Sequence, residues 1–288
     1  MLLSPKPILL SSLYRTRSYF NNPFKDIPKK PLWREQLMLR ALPKTRYVIF
    51  FTPRSGSSRL TDLVENAGGL CSPSEAFNPL LIRKAAIFLG AQNLDDYLGL
   101  LMRHRSTNGT FGCEITIPHL YNIFFSDQKF FELYRPTSSI FLFREDIIGQ
   151  AISLSRLSQT SFTHQTSSSF PQSTSLNFEY KPAQIRKELY NLLSMERQLE
   201  RIFRQRSMKP LRLSYEMLIN TQPETFLPRI ARHVGGSFCR INDIASEHRK
   251  IVDQRNVEFA FQFRSENQRL IAKIDKQRTL TFKLAGLT

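Results

Sequence analysis

Cysteine is scarce, and its spacing forms no pattern. Cys71, Cys113 and Cys239 are far apart, odd in number and free of any C-x-x-C pairing. A disulfide framework and a cysteine-based zinc site are both improbable on that count, and a reducing, cytoplasmic setting fits. The five histidines, His104, His119, His164, His233 and His248, show no H-E-x-x-H or comparable ligand spacing, so ordinary structural roles are expected and no metal is required. No uninterrupted apolar run reaches the roughly 18 residues of a membrane-crossing helix, which points to a soluble or peripheral protein. The G-x-x-x-x-G-K-[ST] string of nucleoside-triphosphate P-loops does not occur, which disfavours metal-dependent phosphoryl transfer. Zinc-finger, basic-zipper and R-G-F-G-F-type motifs are missing too, which counts against a nucleic-acid partner. Acid is also in short supply: 24 Asp and Glu stand against 41 Lys and Arg, a net charge of +17. Such a surface draws polyanions, anionic lipid headgroups or phosphorylated ligands without naming which.

Apolar material is plentiful. It makes up 41% of the 288 residues and includes 23 Phe, enough for a real core and too much for a disordered chain. Residues 1–46 differ from the rest. Lys6, Arg15, Arg17, Lys25, Lys29, Lys30, Arg34, Arg40, Lys44 and Arg46 face only Asp26 and Glu35, among six scattered prolines. This stretch is expected to be a loosely ordered basic arm, with Trp33 and Leu37 docking on the domain. Residues 1–25 carry no acid and faintly resemble a transit segment or a membrane-surface arm; a secretory signal fits poorly because the apolar patch at Ile8–Leu10 is short.

The globular domain is expected over 47–288. Tyr47–Phe51, Phe111–Ile117, Ser139–Phe143 and Leu211–Ser214 are short apolar runs of the kind that form buried strands. Helical patterns lie between and after them, at Ser57–Asn66, in part of Ala85–Arg103, and at Glu145–Leu157, Ala183–Arg206 and Pro223–Val234. Strands alternating with helices predict an α/β fold with a central parallel sheet covered on both faces. Residues 159–175, crowded with Ser, Thr and Gln, read as a long mobile loop, and the tail from Ser246 is charged and helical in pattern.

Three segments carry chemistry. The first, T-P-R-S-G-S-S at 52–58, joins a buried strand to a helix N-terminus, with Ser57 expected as the N-cap. Backbone N–H groups and the helix dipole make such a turn an anion site, and Ser55, Gly56, Ser57 and Ser58 let a phosphate approach while Arg54 adds a fixed charged fork. The second, F-L-F-R-E-D-I-I-G-Q-A-I-S-L-S-R at 141–156, puts Arg144 at a strand end and Ser153 on the following helix, where both can reach one phosphate. The third, S-P-S-E-A-F-N-P at 72–79, places Glu75 in a loop near the strand ends, where a carboxylate can accept a proton from a hydroxyl nucleophile. Taken singly, each has an ordinary alternative: a Ser/Gly helix cap, a surface ion pair, a solvated loop acid.

Together and in this order, the three resemble the sulfotransferase superfamily, most nearly its bacterial branch of trehalose and lipopolysaccharide-type sulfotransferases. L-R-L-S-Y-E-M-L at 211–218 and D-Q-R-N-V-E-F-A-F-Q-F-R at 253–264 are similar to later elements of that family, so the likeness runs from about Tyr47 to Phe263. It implies a P-loop-like nucleotide fold and in-line transfer of a sulfuryl group from 3′-phosphoadenosine-5′-phosphosulfate to a hydroxyl, with no metal. Arg54, Ser55, Gly56, Ser57 and Ser58 would then hold the 5′-phosphosulfate, with Arg54 also balancing charge on the leaving group. Arg144 and Ser153 would hold the 3′-phosphate, and Glu75 would act as base. The acceptor expected is a carbohydrate or glycolipid, with peripheral contact to the anionic inner face of a membrane through the basic arm; trehalose-type relatives imply a homodimer. The sequence departs from the family at Glu114, where lysine is more usual, at Arg59, where an apolar residue is usual, and in the expanded 159–175 segment. Two other readings stay open: a nucleotide-binding relative without catalysis, and a basic nucleic-acid-binding protein.

Overall fold

The computed structural model describes residues 22–160, 178–240, 244–246 and 254–287; residues 1–21 of the basic arm and 161–175 of the Ser/Thr-rich segment fall outside them. Among the described residues, the first elements are α1 (Pro31–Met38), β1 (Thr45–Phe51) and α2 (Ser57–Ala67). Next come α3 (Ile82–Leu89), α4 (Leu94–Arg105), β2 (Thr110–Ile115), α5 (Ile117–Phe124), α6 (Asp127–Tyr134) and β3 (Ser138–Phe143). The second half holds α7 (Ile147–Thr160), α8 (Pro182–Gln205), β4 (Leu211–Ser214), α9 (Tyr215–Asn220), α10 (Pro223–Val234), α11 (Gln254–Glu266) and α12 (Gln268–Ala285).

The four strands form one parallel sheet in the order β2-β1-β3-β4, flanked by helices, the α/β architecture expected. Alternation along each strand sends side chains to opposite faces. Val48, Phe50, Phe141 and Phe143 join the aromatic core beneath α4, α5, α6 and α8, where Phe77, Phe124, Phe130 and Tyr134 also meet. Tyr47, Ile49, Phe51, Ile140 and Leu142 point the other way, onto α2 and α10. A third core joins α7, α8, α11 and α12 through Ile148, Ile152, Leu189 and Phe263. Strands covered on both faces are mostly apolar, which is why these short runs were legible.

The strand order fixes where a ligand can enter. The chain passes from β1 to β2 on one side, then crosses to β3 on the other, so it reverses direction between β1 and β3. Outside the carboxyl ends of two such strands a crevice opens, because the connections leave them toward opposite sides. Phe51 of β1 is in register with Leu142 of β3, so the turn after Phe51 and the residues after Phe143 lie side by side at that crevice.

Candidate anion and acid–base site

The turn after β1 is held in an uncommon conformation. Arg54 has φ 67° and Gly56 has φ 85°, both in the left-handed region. For arginine this costs about 1–2 kcal/mol, strain of the kind that gathers at functional turns. Gly56 is forced: a Cβ there would come within 2.6 Å of the Tyr215 ring. Gly56, not Ser57 as expected, occupies the N-cap of α2, and no side chain caps the helix. Because Ser57 is already helical, the first-turn N–H groups are left without a side-chain acceptor, as an anion site requires. Ser55 is fully buried, and its hydroxyl has no hydrogen-bond partner.

The segment after β3 meets this turn. Arg54 Nε donates to Ser153 Oγ at 3.0 Å, tying the loop to α7. Gln150, also on α7 and fully buried, donates to Thr52 Oγ1 at 2.9 Å and to the Pro53 carbonyl at 2.7 Å. Asp146 caps α7 by accepting from the Gly149 N–H at 3.0 Å. Arg144 lies over the Tyr215 ring at 4.9 Å, and its Nε is buried with no hydrogen bond, the nearest carboxylate oxygen being Glu216 Oε1 at 3.8 Å. Arg54 is exposed, yet packing around its guanidinium, and then the charges of Arg144 and Arg156, hold its pKa below the usual arginine range. Guanidinium groups drawn together in this way repel one another until an anion lies between them.

The third segment lies on the β2 side. Glu75 Oε2 accepts from Asn78 Nδ2 at 2.8 Å and stands 3.8 Å from His119 Nδ1, which is otherwise unpartnered. Burial pushes Glu75 above the ordinary carboxylate range, against the Asn78 hydrogen bond, and pushes His119 down to about 4. His119 is therefore a neutral imidazole beside the acid. Glu114, 3% exposed, receives a hydrogen bond from Thr61 and is pushed up to about 8, chiefly by burial. Arg59, the other departure noted in the sequence, donates through Nε to the Leu218 carbonyl at 3.1 Å and so braces α2 against α9.

Arg54, Ser55, Gly56, Ser57 and Ser58 thus form one turn, with Ser153 bonded to it and Arg144 close enough for its charge to act on Arg54. Glu75 stands toward the β2 edge, coupled to Glu114. Several residues of the site escaped sequence reasoning. Tyr215 sits between Gly56 and Arg144; it lies inside the 211–218 motif, which was the available signal. Glu216 accepts from the N–H groups of Glu145 at 2.8 Å and Asp146 at 3.2 Å. Arg278 of α12 is buried, pairs with Glu196 at 2.9 Å and donates to the carbonyls of Glu145, at 2.7 Å, and of Arg144. Nothing in the sequence distinguished it. Among the described residues, no cluster of three or more His, Cys, Asp or Glu could hold a metal ion, and no helix is long and apolar enough to cross a membrane.

Comparison with known proteins gives two findings. No curated protein matches the chain. The model of the Stf0 sulphotransferase family matches residues 96–266, which includes Arg144 and Ser153 but begins after the 52–58 turn and Glu75. With a match over more than half its length, on the parallel sheet described above, the chain belongs to the Stf0 sulphotransferase family.

Proposed function

We propose that this sulfotransferase takes its sulfuryl group from 3′-phosphoadenosine-5′-phosphosulfate and places it on a hydroxyl of a carbohydrate or glycolipid. The observation that carries the donor assignment is the meeting of Arg54 and Arg144 beside an uncapped helix N-terminus at the switch point of the sheet. The residues fit a bisphosphorylated nucleotide: Ser55 Oγ and Arg144 Nε are buried polar atoms with no hydrogen-bond partner, one on each side of the crevice. Arg54 and the Ser55–Ser58 turn would hold the phosphosulfate, and Arg144 with Ser153 the 3′-phosphate. The donor, when bound, supplies the sulfuryl group and a stable bisphosphate leaving group.

Glu75 would take the proton of the acceptor hydroxyl as the new S–O bond forms and the bridging S–O bond breaks, while Arg54 offsets charge on the departing oxygen. The raised proton affinity of Glu75 suits that role, because a normal carboxylate is a weak base toward an alcohol. The sugar or glycolipid acceptor and a homodimer follow from the family resemblance. Contact with an anionic membrane face is supported by exposed Lys25, Lys29 and Lys30 close in sequence to Leu32 and Leu39, which are 74% and 88% exposed.

Calorimetry with 3′-phosphoadenosine-5′-phosphate tests the donor site, and radiolabelled donor with glycan and lipid extracts tests transfer. Arg144→Ala should weaken nucleotide binding by about 10- to 100-fold, the cost of losing a charge-assisted phosphate contact. Glu75→Ala should bind the nucleotide normally and lose turnover; unchanged turnover would remove Glu75 from the role. Nucleotide binding with no transfer to any acceptor would favour a relative that has lost catalysis.

A further inference from the structure

Glu114 has no part in the reaction just described, yet it lies between both halves of the site. It faces Ile49 of β1 in register, and its N–H donates to the Ser74 carbonyl at 2.8 Å, beside the loop that carries Glu75. Thr61, one turn into α2, donates to its carboxylate, and Ser57, the first residue of α2, lies four residues earlier on the same helix face. One buried carboxyl is therefore held one turn from the helix end that would receive the donor and lies within the field of the proposed base.

Among the described residues, no cation pairs with Glu114. From β1 comes Tyr47 and from β2 Cys113, both kept protonated mainly by burial. From the 72–79 loop comes Glu75, whose charge opposes ionisation of Glu114. From α5 comes His119, neutral and turned toward Glu75. Arg105 reaches the same corner but donates to Ser74 Oγ at 2.7 Å.

We infer that Glu114 is a positioning residue for donor binding, and that it must carry its proton for the N-terminus of α2 to accept an anion. Protonated, it adds no charge beside the first turns of α2. Ionised, it places a carboxylate at the positive end of α2, where it competes with and repels the incoming phosphosulfate. Proton loss to solvent is thus coupled to loss of the nucleotide. The inference rests on the donor assignment above and deepens it.

Calorimetric titration of the full chain with 3′-phosphoadenosine-5′-phosphate between pH 6.5 and pH 9.5 reads it out. Phosphate groups finish titrating near pH 6, so the ligand contributes little to any alkaline change. Affinity should hold to near neutrality and then fall roughly tenfold per pH unit once Glu114 ionises. Glu114→Gln keeps the shape without the charge and should flatten the alkaline fall. Thr61→Val, which removes a hydrogen bond that favours the ionised form, should move the fall to higher pH. Melting curves at each pH confirm that the variants are folded. An alkaline fall of equal size in Glu114→Gln, or flat affinity in the wild type, overturns the role of Glu114 and leaves the donor site standing. No nucleotide binding at any pH overturns the donor site and this inference together.

Discussion

At Gly56 one hydrogen atom decides whether the turn exists. The residue has φ 85°, and an added Cβ would lie 2.6 Å from Tyr215 Cδ2, so the Tyr215 ring closes over the space where a side chain would begin. Tyr215 in turn supports Arg144 through its ring face. Gly56→Ala is therefore expected to cost about 1–2 kcal/mol from the backbone alone. It should also displace Tyr215, and with it Arg144. Thermal unfolding should show a moderate loss, whereas nucleotide affinity should fall at least tenfold, since both halves of the proposed anion site shift. Normal affinity in a destabilised protein would mean that Tyr215 only packs. The glycine and the arginine before it were legible in the sequence because a strand, a small-residue turn and a helix follow in immediate succession. Placing the N-cap at Ser57 was an error of one residue: a serine is a common cap, and only the backbone angle at Gly56 shows that the cap lies there and carries no side-chain acceptor.

The elements repeat this contrast. All four strands were readable as apolar runs, because a parallel sheet buried on both faces tolerates little else. The stretch between β2 and β3 was not readable as α5 and α6; its aromatic residues crowd one core without a clean helical period, and Ile117 looked like a continuation of β2. The tail was legible as helical, and it forms α11 and α12; least legible was which side chain of α12 is buried. Its Arg278 differs from Arg269, Lys273, Lys276 and Lys283 only in where tertiary packing puts it, 3% exposed against Glu196 and the carbonyls after β3. Removing one member of such a pair leaves a buried charge uncompensated, so Arg278→Met should destabilise the protein by about 3–5 kcal/mol. The double variant Arg278→Met with Glu196→Leu should recover much of that stability. It should not recover nucleotide affinity, because the Arg144 and Glu145 carbonyls still lack their donor and Arg144 is no longer fixed. Recovery of both would make α12 a mere cover for the core.

For the molecule as a whole, buried ionisable groups shape stability more than the net charge of +17, which is spread over a solvated surface. Glu114 rises from an ordinary 4.5 to about 8 on folding, so the native state keeps a proton that the unfolded chain releases. Its contribution is complete below about pH 4.5 and is lost progressively as pH climbs to about 8; Glu75, raised in the same direction, adds to that trend. His119 has the opposite sign. Burial lowers it from 6.5 to about 4, so the native state refuses a proton that the unfolded chain accepts, and stability is lost as pH falls through that window. Each group contributes a slope of about 1.4 kcal/mol per pH unit while it titrates. Between roughly pH 4.5 and pH 6.5 the slopes of Glu114 and His119 oppose and nearly cancel; above 6.5 only the carboxyls remain. Because Glu75 is raised as well and is not cancelled, melting temperature should fall gently across the acid window and then more steeply toward pH 8. Glu114→Gln should remove most of that steeper decline, and His119→Gln should steepen the fall across the acid window. If Glu75 is the base proposed and Glu114 gates the donor as inferred, the first must be ionised and the second protonated, so the same two carboxyls would also set the pH limits of transfer. Activity should peak between their two titrations, and Glu114→Gln should widen the peak on its alkaline side alone.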